Sequence, residues 1–105
     1  MSARPTSAEL VHDGLRRCAA ARRQVSARYD RGALTATEWA DFLAALHARD
    51  ARWWSVLART TIADHTIPLV YVAAVFDAEA AALRAAADWA CTAREYTRNA
   101  AARVA

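Results

Sequence analysis

Four ionisable residues stand where a helical repeat of apolar residues predicts burial. Laid out at about 100° per residue, Arg22, Asp50, Glu79 and Arg94 each fall inside an apolar stripe. Two guanidinium groups can hold an anion, and a carboxylate beside them can give or take a proton. These four are therefore the candidate catalytic set. The same charges can instead form an internal salt bridge that sets helix register, or a polar patch that pairs across a dimer. A lone buried charge costs on the order of several kcal/mol, so Asp50 is expected opposite an arginine, Arg22 first and Arg94 second.

A second pattern is Arg59-Thr-Thr-Ile-Ala-Asp-His65. Read from spacing alone, it is an arginine at a helix C-terminus and a histidine in the following loop. It resembles the short Arg-x(4–6)-His signature of the HEPN helical ribonucleases. The resemblance implies a phosphate-stabilising Arg59 and an acid/base His65, meeting their counterparts in a groove between two protomers that cuts RNA. It covers seven residues. Thr60 only partly replaces the polar residue usual after the arginine, and the pair straddles a helix end instead of opening a helix.

Glu9-Leu-Val-His12 has the Glu-x-x-His spacing that di-metal helical bundles use, and His47 and Asp50 are likewise three apart. Such sites need carboxylates from further helices at the same level, and Glu9 also completes a helix cap. No metal and no cofactor is therefore expected. Cys18 and Cys91 have neither metal nor redox spacing and read as two free thiols in the core. Arg16, Arg17, Arg23, Arg28 and Arg31 lie on an arc of about 140° opposite the apolar stripe of the first helix. This is a solvated face or a weak nucleic-acid surface that meets phosphates without reading sequence. Trp54, Tyr71, Trp89 and Tyr96 lie beside the main seams and predict a second buried surface, supplied by another copy or another helical protein.

The elements that position these residues follow from composition. Among 105 residues there are thirty alanines, two glycines and two prolines, which argues for an all-α chain. Every basic residue is arginine, and the formal charge of +3 is too mild to imply nucleic acid by itself. Thr6-Ser-Ala-Glu9 and Thr35-Ala-Thr-Glu38 are capping boxes, and Gly32 can take the positive φ that ends a helix. A single domain over 1–105 is expected, with helices at about 7–30, 36–60 and 67–103. The first two form an antiparallel hairpin of helices roughly 36 Å long. The third, near 50 Å, must either break at Asp77 or Asn99 or project beyond the hairpin.

Folding back at Gly32 sets Tyr29 near Trp39 and Val25 near Leu43, with Arg22 and Asp50 about 7 Å apart along the axis. The third helix is expected to face the hairpin with Val72, Val75, Phe76, Leu83, Ala87 and Ala90. The three-helix bundle is then completed by homodimerisation. The N-terminus lacks a signal-like apolar stretch, and no apolar run approaches a membrane span, so a cytoplasmic protein without membrane contact is expected. These features point to a small helical interaction or accessory module. An enzyme built on the seam charges, a HEPN-like ribonuclease and a weak nucleic-acid binder are the alternatives.

Overall fold

The computed structural model describes residues 3–104, which form three helices and no strand. Helix α1 spans Ser7–Asp30, α2 Ala36–Ala63 and α3 Leu69–Val104. Both capping boxes form. The Thr6 amide donates to Glu9 Oε2 at 2.8 Å and the Glu9 amide to Thr6 Oγ1 at 3.1 Å. Thr35 and Glu38 repeat the exchange at 2.9 and 3.1 Å. Each box satisfies two of the amides that a helix N-terminus leaves without partners. At the end of α1, Gly32 takes φ 77°, and the Ala33 amide reaches back to the Arg28 carbonyl at 2.9 Å. This closes the helix and turns the chain toward α2.

α2 runs three residues past the expected end, and α3 starts two later because Asp64–Ile67 form a turn, in which the Ile67 amide donates to the Asp64 carbonyl at 3.2 Å. There Asp64 Oδ1 accepts the Thr66 amide at 2.9 Å and its hydroxyl at 2.6 Å. α3 neither breaks at Asp77 nor at Asn99. It continues for 36 residues, about 54 Å, and accounts for most of the 58 Å length of the molecule.

The helices lie side by side with α2 in the middle. α1 and α3 each pack on α2, and no Cα of α1 comes within 8 Å of one in α3. The result is thin, at 58 × 31 × 17 Å, with a radius of gyration of 17.2 Å. A compact chain of this length has a radius near 13 Å. The accessible surface of 7406 Å² exceeds the roughly 5,800 Å² typical of a folded monomer of this mass.

Two lines on α2 explain the arrangement. Leu43 and Leu46 pack with Val25 of α1 and with Leu34, and Trp89 of α3 reaches the edge of this cluster. The buried alanines Ala40, Ala51 and Ala58 lie roughly 90° further round α2. Alanine lets a neighbouring helix approach closely, and α3 buries Val72, Ala82 and Ala93. The expected inward stripe of α3 is therefore only partly used. Val72 is buried, but Phe76 and Leu83 stay 39% and 51% exposed and Ala87 is open. Close packing through small residues selects a different side of α3 from the one its largest side chains mark.

Candidate functional site

The Gly32 turn and the rise of two antiparallel helices bring Arg22 and Asp50 face to face across the α1–α2 seam. Arg22 Nη1 donates to Asp50 Oδ1 at 3.3 Å, with the two side chains 28% and 16% exposed. This is the one ion pair within 4.0 Å among the described residues. It explains how a carboxylate sits in the middle of the apolar face of α2: an arginine from the facing helix neutralises it.

The surroundings are mixed. Buried Cys18 lies within the electrostatic reach of Asp50. Burial first, and then the Asp50 carboxylate, push its thiol up, while the nearby arginines pull the other way. A raised thiol stays protonated and is a poor nucleophile. His47 stacks on Trp89 at 5.8 Å with the rings 8° apart. Burial holds the His47 imidazole below its ordinary range, Arg22 adds to the effect and Asp50 opposes it. His47 is therefore neutral at pH 7.

The other expected residues are dispersed. Glu79 is half-buried on α3 and Arg94 is exposed, and neither forms an ion pair within the described residues. Arg94 borders a shallow open depression with Asp41, Thr97 and Arg98, away from the Arg22–Asp50 pair. Arg59 and His65 are both exposed. His65 lines a depression at the α2–α3 corner with Thr66 and Pro68, and Arg59 is not among its walls. Of the α1 arginines, Arg16, Arg17 and Arg23 border one open depression together with Asp13. Arg28 instead lies over the Phe42 ring at 5.8 Å, and Arg31 is the C-cap of α1.

Glu9 is held in its capping box. Among the described residues, no three of His, Cys, Asp and Glu gather closely enough to hold a metal ion. Cys18 is buried, but Cys91 is exposed, which corrects the expectation of two core thiols. It sits on the side of α3 turned from α2.

The aromatic residues gather at the turn end of the α1–α2 hairpin. Trp39 stacks on Tyr29 at 4.7 Å, meets Trp89 edge-on at 5.3 Å and approaches Tyr96 at 6.4 Å. Trp89 and Tyr96 thus pack within the chain. Trp54 is half-buried and Tyr71 is 63% exposed. The Trp39 Nε1–H is buried without a hydrogen-bond partner among the described residues.

Sequence reasoning missed Gly14. A Cβ built there would collide with Cε2, Nε1 and Cδ2 of Trp53, so the indole of α2 lies directly against the α1 backbone. A glycine in the middle of a strongly helical, alanine-rich segment was the available signal, since glycine there costs about 1 kcal/mol relative to alanine.

Comparison with known proteins gives no family model, no curated protein and no solved structure that matches the chain. Among the described residues no helix is long and apolar enough to cross a membrane.

Proposed function

We propose that this protein is a small helical interaction module of the cytoplasm that works by pairing its helices with a second copy of itself. The observation that carries the reading is surface. The chain exposes about 1,600 Å² more than a compact monomer of its mass, and a typical specific interface takes about 800 Å² from each partner. Exposed Leu69, Val70, Tyr71, Phe76 and Leu83 place much of that excess on one helix. The Arg22–Asp50 pair then has a structural role, locking the register of the hairpin that presents α3. The unpaired thiols of Cys18 and Cys91 suit a reducing compartment.

Light scattering with sedimentation, over a hundredfold range of protein concentration, tests the proposal. Twice the chain mass at the upper end is the expected outcome. A mass of one chain throughout would remove the reading.

A further inference from the structure

α3 carries a second apolar stripe, distinct from the one that meets α2. Leu69, Ala73, Phe76, Ala80, Leu83, Ala87 and Ala90 follow one another at spacings of four and three. That is a heptad seam of 22 residues, about 33 Å long. Leu69, Phe76 and Leu83 are 84%, 39% and 51% exposed, and the alanines from Ala73 to Ala87 are open. Large and small residues alternate strictly up to Leu83. From the stripe and its flanking charges we infer that α3 pairs with α3 of a second copy as an antiparallel coiled coil, in the register where facing residue numbers add to 163. This deepens the dimer reading above and rests on it.

The direction follows from volume. In a parallel pair, Phe76 meets Phe76 and Ala80 meets Ala80, so the helix separation would have to widen and narrow at successive layers. In the antiparallel pair, Phe76 and Leu83 each meet an alanine instead of their own counterparts. Leu83 lies against the partner's Ala80, and Phe76 against the partner's Ala87. The central layers then hold similar volumes, which close packing at constant separation requires, and Ala73 against the partner's Ala90 forms a smaller layer at each end.

The register follows from charge. Asp77 and Arg84 flank the stripe on the side turned from α2. Both are exposed, and neither has an ion-pair partner in its own chain among the described residues. With facing numbers adding to 163, Asp77 falls within about 3 Å of axial rise of the partner's Arg84, and symmetry repeats the pair. Shifting the register by a heptad widens that offset to about 7 Å or more. The area also fits, since a standard interface removes only part of the excess surface.

The test uses the full chain in a Cys91→Ser background, so that the only other thiol is buried Cys18. Under mild oxidation, the double variant Ala73→Cys/Ala90→Cys is expected to become mostly a covalent dimer, because those positions face each other. Ala73→Cys alone is expected to stay uncrosslinked, because its counterpart lies about 25 Å away along the axis. In parallel, Leu83→Glu should weaken dimerisation at least a hundredfold. Its helix content should be unchanged, since Leu83 is already half exposed in the single chain. Asp77→Arg should weaken it about tenfold, with recovery in Asp77→Arg/Arg84→Asp.

Crosslinking of Ala73→Cys alone would establish a parallel pair and overturn the inference. A wild-type dimer that survives Leu83→Glu and traps in neither cysteine variant would overturn it too, placing the interface on another face while the dimer reading stands. A wild type of single-chain mass at every concentration overturns both.

Discussion

Replacing Gly14 by alanine adds one methyl group where α1 meets the Trp53 ring. On an uncrowded helix the change stabilises by about 1 kcal/mol, since alanine loses less backbone freedom on folding. Here the built Cβ overlaps three ring atoms of a rigid indole, and no rotation of a flexible chain end relieves that. Trp53 must move outward and give up part of its burial. Removing a buried tryptophan altogether costs about 3–5 kcal/mol. Displacing a half-buried one is worth about 2–3 kcal/mol, which leaves Gly14→Ala about 1–2 kcal/mol less stable after the helix gain. For a chain of this size that lowers Tm by roughly 5–10 °C.

Thermal and urea unfolding at one fixed protein concentration measure it, since association would otherwise shift the transition. The decisive control is Trp53→Leu. With the ring gone, Gly14→Ala should become neutral or stabilising, so the sign of one substitution reverses with the residue opposite. A rise in Tm for Gly14→Ala in the wild-type background would refute the close approach of the two helices at this point.

The ion pair and the histidine give two further tests. Asp50→Leu alone strands Arg22 and should cost about 2 kcal/mol, less than for a sealed pair because both side chains retain some solvent. Combining it with Arg22→Met should recover at least 1 kcal/mol, and strictly additive losses in the double-mutant cycle would show that the two residues do not interact. His47 resists protonation in the folded state, so the unfolded chain binds the proton first. Its contribution is complete above the ordinary imidazole value of 6.5 and is lost as pH falls below it. His47→Phe keeps an aromatic ring against Trp89 and should flatten the stability-versus-pH curve between about pH 7 and 5. An unchanged slope would show that His47 does not titrate differently in the two states.

Much of this protein is settled along the chain. Abundant alanine with almost no glycine or proline makes helices, and Thr6, Thr35 and Gly32 begin and end them through local hydrogen bonds between near neighbours in sequence. A short turn between two such helices forces them antiparallel, so the meeting of Arg22 with Asp50 follows from helical rise together with the place of each in the apolar stripe of its helix. What the chain could not settle is which side of a helix a neighbour takes. α3 has two apolar stripes roughly a quarter-turn or more apart, and periodicity marks both without ranking them. The alanine line of α2 decides, because close backbone approach through Ala40, Ala51 and Ala58 admits Ala82 and Ala93 and leaves Phe76 and Leu83 outside. For the same reason the role of Gly14 emerges only when Trp53 arrives from another helix: a residue without a side chain has no pattern of its own, only the space it leaves for something distant in sequence.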